Sequence, residues 1–199
     1  MKTAVEKNQS DKYQKIIQAA TRVFASKGFY NAKVSDVAKE AEVADGTIYL
    51  YFKNKDDILI SIFEESMDRF IQSAYARLEG VQDPIVRLQY FIELHLTLVE
   101  ENQDVAQVLQ IELRQSTKFM KEYAAQKFMD YLAIISDVIE EGQKQGLFKK
   151  EIQASIVKRA IFGAVDEMAL EWVLMKKKKY SLKQVAQQIS MMLVEGLKA

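Results

Sequence analysis

The sequence predicts an all-α protein of about nine helices in two parts, and three observations lead to this prediction. Apolar residues recur every three to four positions over most of the 199 residues. No stretch of useful length alternates apolar and polar residues as a half-buried strand would. Capping residues and a single proline divide the chain into segments of helical length. We therefore expect a small helical domain at residues 1–55 and a larger one at residues 56–199.

The first helix is predicted to begin with Ser10 as its N-cap and to end at Lys27-Gly28. Its apolar stripe consists of Tyr13, Ile16, Ile17, Ala20, Val23 and Phe24. Such a stripe indicates a scaffold helix that packs against the rest of a small bundle.

Two short helices separated by a tight turn are predicted between Val34 and Lys55. The apolar stripe of the first consists of Val34, Val37, Ala38 and Ala41. Asp45 is the expected cap of the second helix, in which Ile48 and Phe52 share a core face. The opposite face carries Gly46, Thr47, Leu50 and Tyr51. This arrangement is typical of a helix-turn-helix, whose second helix enters the major groove of DNA.

Six longer segments follow, each bounded by a cap or a break. Asn54, with Asp57 three residues later, caps a long helix, and Asp83-Pro84 and Ser181 open two others. The predicted ranges are approximately 54–79, 84–102, 105–114, a helix through Phe128 and Ile139 to Gly142, 152–175 and 181–197.

Composition excludes several classes of protein. The chain has no cysteine, so disulfides and thiolate metal sites are excluded, and a single histidine leaves no metal-ligand cluster. No nucleophile with a base partner and no glycine-rich phosphate loop are present, so we expect no catalytic site and no cofactor. No apolar run reaches the length of a membrane span, and no signal sequence opens the chain. We expect a cytoplasmic protein.

The formal net charge is zero, but it is unevenly distributed along the chain. Residues 1–55 carry ten lysines and arginines against six acids, a net charge of +4, and the remainder carries 18 against 22, a net charge of −4. Phosphate binding depends on local positive charge, so this distribution is compatible with DNA binding.

Eight residues of the Val34–Lys55 segment match the pattern A-x-x-A-x-V-x-x-G-x-x-Y-x-Y-F-x-x-K, and the segment thereby resembles the TetR family of one-component bacterial repressors. They are Ala38, Ala41, Val43, Gly46, Tyr49, Tyr51, Phe52 and Lys55. The resemblance implies a TetR-like fold, with an N-terminal three-helix helix-turn-helix domain and a C-terminal helical domain for ligand binding and dimerisation. It also implies a repressor that binds a palindromic operator in double-stranded DNA and is released by a small-molecule effector.

The resemblance also assigns roles to individual residues. Tyr49 and Lys55 are expected to contact phosphates, although a packed core tyrosine is the alternative for Tyr49. The remaining expected DNA contacts are Lys33 and Ser35 at the backbone, and Gly46, Thr47, Leu50 and Tyr51 at the bases.

Three residues depart from the family pattern. Lys33 stands where a threonine usually caps the first helix of the motif, so Asn31 or a backbone arrangement must cap it. Glu42 stands where a glycine usually opens the turn, and Ala44 replaces a common serine, which shifts capping to Asp45.

Three further stretches resemble a branch of Bacillus-type repressors of fatty-acid degradation. These stretches are ADGTIYLYFKNKDDILISIF, IELRQS and IFGAVDE…WV. The branch implies long-chain acyl-CoA as effector, with Arg114 or the Lys176–Lys179 run at its phosphates. The alternatives are an ion pair with the neighbours of Glu112 for Arg114, and a solvated loop for the lysine run. Expected pocket residues are Phe91, His95, Leu109, Leu113, Phe128, Phe162 and Trp172, all of which also suit an ordinary helical core. A multidrug-responsive repressor, and an all-α binding protein or enzyme without DNA binding, are the alternatives.

The last two helices are predicted to form a homodimer. The stripe Ile161, Val165, Ala169 and Trp172 in one, and the apolar content of Leu182–Leu197 in the other, exceed what the outer layer of a monomer needs. Pairing with the same helices of a second copy would make a four-helix interface. Two reading helices held in this way would contact half-sites about 34–36 Å apart, or a multiple of that distance.

Overall fold

The computed structural model describes the backbone of residues 4–113 and 125–199, and the side chains of residues 9–113 and 126–199. Nine α-helices lie in the described backbone, as the sequence predicts. They are α1 Ala4–Lys27, α2 Val34–Glu40, α3 Asp45–Ile48, α4 Lys55–Leu78, α5 Pro84–Glu101, α6 Gln103–Gln107, α7 Ala125–Lys144, α8 Ala154–Leu174 and α9 Leu182–Leu197. A single antiparallel bridge, between Phe148 and Lys198, is the only β-structure in those two ranges.

Residues 4–66 and 104–113 pack into a first unit. The stripe predicted for α1 is confirmed, because Ile16, Ala20 and Phe24 have no exposed surface. They share the core of this unit with Val37, Ala38, Ile48, Phe52, Ile58 and Ile62. The helix starts earlier than predicted, at Ala4, so Ser10 lies inside it and is not its cap. Its end at Lys27 is confirmed, and Gly28 follows with a φ of 77°.

The first residue of the turn between α2 and α3 is Glu42, and its backbone conformation is one that favours glycine. Glu42 has a φ of 53°, the left-handed region that a glycine adopts without strain. The predicted capping by Asp45 is wrong, because Ala44 is the N-cap and Asp45 is already the first helical residue. The expectation for Asn31 is also wrong, since its amide donates to the Lys27 carbonyl at the end of α1.

The start of α2 and the start of α4 are both organised by an acid three residues into the helix. In α2, Asp36 accepts a hydrogen bond from the Lys33 backbone N–H at 2.9 Å. In α4, Asn54 accepts from the Asp57 N–H at 2.9 Å, which confirms the predicted cap. The Asp57 carboxylate in turn accepts from the Lys53 N–H at 2.9 Å. These bonds satisfy N–H groups that the helices leave unpaired.

The segment after α5 differs from the single helix predicted for residues 105–114. The short α6 is followed by a π-helical turn at Val108–Glu112. Within it the Leu113 N–H donates to the carbonyl of Val108, five residues earlier. π turns interrupt regular helices and often occur at functional positions. Periodicity over so short a stretch does not distinguish the two helix types.

Residues 67–103 and 125–199 pack into a second unit. The predicted caps Asp83 and Ser181 are confirmed by hydrogen bonds from Ile85 and Gln184 at 2.8 and 3.2 Å. The predicted boundary at residues 55–56 falls at the first residue of α4, whereas the packing changes from one unit to the other after residue 66. The division into 1–55 and 56–199 therefore stays a prediction about function.

The turn that follows α7 is tied to the end of the chain. The Lys149 N–H donates to the Leu197 carbonyl at 2.9 Å, and the Ala199 N–H donates to the Leu147 carbonyl at 3.1 Å. Phe148 between them is 1 % exposed and lies over Gly142. A Cβ atom at position 142 would lie 2.1 Å from the Phe148 ring, so this position requires glycine.

None of the helices described here is both long enough and apolar enough to span a lipid bilayer.

Candidate functional site

The outer face of α3 projects away from the first unit. Tyr49 is 59 % exposed and Leu50 is 81 % exposed, whereas the neighbouring Ile48 belongs to the core and is 1 % exposed. A Cβ atom at Gly46 would have no neighbour within 4 Å. The alternative of a packed core tyrosine at position 49 is therefore wrong. A large apolar side chain as open as Leu50 is unfavourable in water and suits contact with another surface.

The helical path of α3 continues beyond its last α-helical residue. The N–H groups of Leu50 and Tyr51 donate to the carbonyls three residues earlier, at 3.2 and 3.0 Å. Thr47 and Tyr51 are half-buried, and the Tyr51 ring centroid lies 6.3 Å from that of Tyr13 on α1. We call Gly46, Thr47, Tyr49, Leu50 and Tyr51 the reading face. Tyr51 both forms part of this face and supports it through its contact with Tyr13.

Several cations of this unit are engaged by neighbouring acids. Lys15, Arg22 and Lys27 form ion pairs at 2.8, 2.7 and 2.8 Å with Glu42, Glu40 and Asp36, respectively. The hydrogen bond from Lys27, and then that from the Lys33 N–H, lower the pKa of Asp36 below its ordinary value. These three pairs leave the net charge of residues 1–55 unchanged, but they reduce the number of cations available to phosphates.

Three exposed lysines flank the reading face without a carboxylate partner among the described side chains: Lys33, Lys39 and Lys53. Lys33 immediately precedes α2, beside the exposed Ser35, and Lys53 lies in the turn between α3 and α4. The sequence analysis missed Lys53. The sequence does contain a signal for Lys53. It precedes the cap residue Asn54 and so lies in the turn, whereas Lys55 is the first residue of the helix.

Lys55, an expected phosphate contact, has its ammonium group bound to backbone carbonyls of its own chain. Its Nζ donates to the carbonyls of Phe29, Tyr30 and Ala32 at 2.6, 3.2 and 3.0 Å. It also lies 4.5 Å from the centroid of the Phe29 ring. An ammonium group has three protons, and all three are used here. Lys55 therefore fixes the loop between α1 and α2.

Glu112 holds the same loop from the π turn. Its carboxylate accepts a hydrogen bond from the Phe29 N–H at 2.8 Å, and the residue is 7 % exposed. Its oxygen atoms lie near Gly28, 3.6 Å from where a Cβ would be. The loop of residues 28–32 is thus bound at a backbone N–H by Glu112 and at three carbonyls by Lys55.

The second unit contains an aromatic cluster, defined here as Phe70, Phe91, Phe128, Tyr131 and Phe162. Its ring centroids lie 4.8 to 6.2 Å apart. Phe91 and Tyr131 are buried, and Phe128 and Phe162 are half-buried. The expected pocket residues Phe91, Phe128 and Phe162 are brought together here. Phe70 and Tyr131 were missed, although Tyr131 shares a helix face with Phe128.

His95 completes the aromatic cluster with a polar group. Its Nδ1 lies 2.9 Å from the Tyr131 hydroxyl, and its ring centroid lies 5.7 Å from that of Phe70. Its Nε2 is buried and has no hydrogen-bond partner among the described residues. Burial lowers the pKa of His95 to about 4, against the opposing effect of the Asp166 charge, so the ring is neutral at pH 7. Burial, and then Asp166, raise the pKa of Tyr131 well above its ordinary value, so the hydroxyl stays protonated.

The other expected pocket residues lie elsewhere. Leu109 and Leu113 belong to the first unit, where Leu113 is 6 % exposed. Arg114 lies outside the described residues. Trp172 is buried, donates from Nε1 to the Tyr180 carbonyl at 3.2 Å, and has the Lys178 ammonium 4.0 Å from its ring centroid. This lysine, from the run expected at the ligand phosphates, also donates to the Trp172 carbonyl. Trp172 and Lys178 thus stabilise the end of α8.

The apolar stripes of α8 and α9 are used inside their own subunit. Ile161, Val165 and Ala169 have no exposed surface, and neither does Leu182. The opposite sides of these helices nevertheless expose apolar groups: Leu174 at 60 %, Met191 at 64 % and Met192 at 61 %. Gly163 is also exposed, with nothing within 4 Å of the position of a Cβ.

Comparison with protein families identifies both parts of the chain. Residues 16–62 match the model described as bacterial regulatory proteins, tetR family. Residues 63–196 match the model described as YsiA-like protein, C-terminal region. The fatty acid metabolism regulator protein of Bacillus subtilis is 37 % identical over 191 residues, which cover 96 % of this chain and 98 % of that protein.

The chain belongs to the TetR family. Two solved structures of regulators named FadR resemble this chain over nearly their whole length. The fatty acid degradation regulator FadR from Bacillus halodurans has a TM-score of 0.86 at 36 % identity, covering 94 % of this chain and 100 % of that one. The transcriptional regulator FadR from Bacillus subtilis, solved in complex with stearoyl-CoA, has a TM-score of 0.87 at 37 % identity, covering 93 % and 99 %. This TetR-family chain is a DNA-binding transcriptional regulator and not an enzyme.

Proposed function

We propose that this protein represses genes of fatty-acid degradation in the cytoplasm and is released from DNA by a long-chain acyl-CoA. The stearoyl-CoA complex of the B. subtilis regulator carries this proposal, because the similarity extends over nearly the full length of both chains. The exposed reading face supports the DNA half, and the aromatic cluster supports the ligand half. We still expect Arg114 or the Lys176–Lys179 run to bind the ligand phosphates. Within that run, the Lys178 ammonium contacts Trp172.

On DNA, the two roles of phosphate contact and base contact fall to different residues. Tyr49, Lys33, Ser35 and Lys53 are exposed donors around α3 and are suited to phosphates. Leu50 projects furthest and can contact thymine methyl groups, with Thr47 beside it and Gly46 allowing close approach. Tyr51 reaches the bases only with the part of its side chain that is not packed toward Tyr13.

A homodimer through α8 and α9 would supply the second reading helix. Leu174, Met191 and Met192 are large apolar side chains exposed on these helices. Burying them against a second copy removes apolar surface from water and generates a two-fold axis, which matches a palindrome. Met191→Asp should shift the protein toward monomer in light scattering, with operator affinity lost in parallel. Lys183→Asp, at another exposed position of α9, is the matched control and should leave the dimer intact.

Release requires that the ligand binds better to a conformation that cannot contact both half-sites. The first half of α4 belongs to the first unit, and its second half contributes Phe70 to the aromatic cluster. A ligand that enters among these rings must displace Phe70 or its neighbours, and so acts on the same helix that carries Lys55 at its first residue.

The proposal is tested by fluorescence anisotropy with labelled palindromic DNA and the full chain. We expect salt-sensitive binding, release by stearoyl-CoA, and no release by free coenzyme A. Leu50→Ala should weaken binding about tenfold without affecting folding, since one lost apolar base contact is worth about 1 kcal/mol or slightly more. Binding that is absent, or insensitive to salt, contradicts DNA recognition. Release by cationic dyes but not by acyl-CoA would instead assign a multidrug effector.

A further inference from the structure

The ring nitrogen Nε2 of His95 is the buried polar atom of the aromatic cluster that lacks a partner in the described structure. An unsatisfied buried hydrogen-bonding group costs about 1–3 kcal/mol, so a native structure that keeps one has a reason to do so. The Tyr131 hydroxyl contacts the other ring nitrogen, and the Asp166 carboxylate acts on the ring only through its charge, so neither forms a hydrogen bond with Nε2. A ligand that enters the cluster can offer an acceptor.

The hydrogen bond at Nδ1, on the other side of the ring, determines whether Nε2 carries a proton. The hydroxyl of Tyr131 lies 2.9 Å from Nδ1 and keeps its proton. Either atom can donate in this contact, depending on the tautomer of the imidazole. We take the hydroxyl as the donor, so that Nδ1 accepts and carries no hydrogen. A neutral imidazole has one proton, which must then be on Nε2. His95 therefore holds a buried N–H donor that is directed by Tyr131.

The surroundings select the chemistry of the acceptor. A carboxylate placed among aromatic rings loses its hydration and is costly unless a charged partner compensates it. His95 is neutral and provides one uncharged N–H. An uncharged carbonyl oxygen is a suitable partner, because its desolvation costs less and one hydrogen bond satisfies much of it. In an acyl-CoA, the thioester carbonyl is such a group.

We place the route of a ligand to His95 at the half-buried rings of the aromatic cluster. Phe128 and Phe162 are half-buried and contact each other edge to face at 4.8 Å. Both contact the buried Tyr131, with ring centroids 6.2 and 5.7 Å from it, and Tyr131 contacts His95. Dispersion contacts alone hold the two outer rings, so an acyl chain can replace them with contacts of the same kind.

We infer that His95, oriented by Tyr131, is the specificity residue that donates from Nε2 to the thioester carbonyl of the bound acyl-CoA. This inference rests on the proposed acyl-CoA effector and adds that the protein recognises the thioester group itself. Apolar contacts recognise the acyl chain, whereas His95 distinguishes an acyl thioester from ligands with the same chain and no carbonyl.

The test compares two ligands that differ only at that carbonyl. Stearoyl-CoA and the thioether S-octadecyl-CoA carry the same chain and the same coenzyme, and their dissociation constants are measured by calorimetry with the full-length protein. We expect the thioester to bind about tenfold more tightly to the wild-type protein, as one buried hydrogen bond implies. In His95→Phe the ratio should fall to about one. Equal affinities in the wild-type protein, or an unchanged ratio in the variant, would overturn the inference.

A second measurement needs no substitution. His95 is the one histidine of the chain, so protein labelled with ¹⁵N-histidine gives the imidazole signals of this residue alone. We expect the spectrum to show the Nε2–H form, and the Nε2 signal to shift with stearoyl-CoA but not with S-octadecyl-CoA. A Nδ1–H form, or equal shifts with both ligands, contradicts the inference. If both ligands bind but bind equally, only the role of His95 fails. If neither binds, the effector class fails and the inference fails with it.

Discussion

Replacing Glu112 by alanine should release the loop between α1 and α2 from the π turn. The substitution removes the carboxylate that accepts from the Phe29 N–H at 2.8 Å and leaves that N–H buried without a partner. A hydrogen bond to a charged group contributes about 1.5–3 kcal/mol, and the unsatisfied N–H adds to the loss. We therefore expect the first unit to be destabilised by roughly 2–4 kcal/mol.

Hydrogen exchange at the Phe29 amide is the most direct assay, because it reports this bond alone. The amide should be protected in the wild-type protein and should exchange at least about tenfold faster in Glu112→Ala. Glu112→Gln keeps an amide oxygen in nearly the same place and should recover much of the protection. Asp104→Asn, which changes an exposed acid at the start of α6, is the matched control and should change nothing.

The same variant tests whether this contact transmits the effector signal. If Glu112 transmits the signal from the π turn to the loop between α1 and α2, then stearoyl-CoA should weaken operator binding less in Glu112→Ala than in the wild-type protein. The reasoning is refuted if the Phe29 amide exchanges equally fast in both proteins, or if the variant is as stable as the wild type. Unchanged release, with the amide deprotected, would limit Glu112 to a structural role.

Three further outcomes are expected. Lys53→Gln should lower the slope of log affinity against log salt by about one, whereas Lys55→Gln should chiefly lower stability, which thermal unfolding distinguishes. Gly142→Ala should destabilise the second unit by at least about 1–3 kcal/mol, because its Cβ would meet the Phe148 ring at 2.1 Å, and Phe148→Leu should partly rescue it. The pKa of His95 falls on folding from its ordinary value near 6.5 to about 4, so the unfolded chain binds more protons between these values. Its contribution to stability is therefore complete above pH 6.5 and decreases by roughly 3 kcal/mol toward pH 4, and urea unfolding of His95→Phe should lack this component.

Much of the fold follows from local signals in the sequence. The stripes of α1 and of the reading helix have the helical period, and their members Ile16, Phe24, Ile48 and Phe52 are buried as predicted. Caps with short polar side chains were equally informative, since Asn54, Asp83 and Ser181 all accept the expected N–H. These features depend on residues within one turn of each other, so the sequence alone contains them.

The contacts that the sequence does not predict join residues distant in sequence. Lys55 was expected at a phosphate, but the carbonyls it binds are 23 to 26 residues earlier in the chain. Glu112 binds Phe29 across 83 residues, and no local pattern announces that pair. Leu113 and Trp172 are both buried, but an apolar stripe indicates burial without specifying which residues it packs against.

The π turn at Val108–Glu112 also affects how sequences of different length should be compared. A π turn contains one residue more than an α-helical turn. The residues before and after it are therefore oriented as they would be in a regular α-helix with one residue fewer. Deleting a single residue from this stretch would convert it to regular helix while Ala106 and Leu113 keep their present orientations. A one-residue gap at this place in an alignment of related regulators is thus compatible with an unchanged fold on both sides of it.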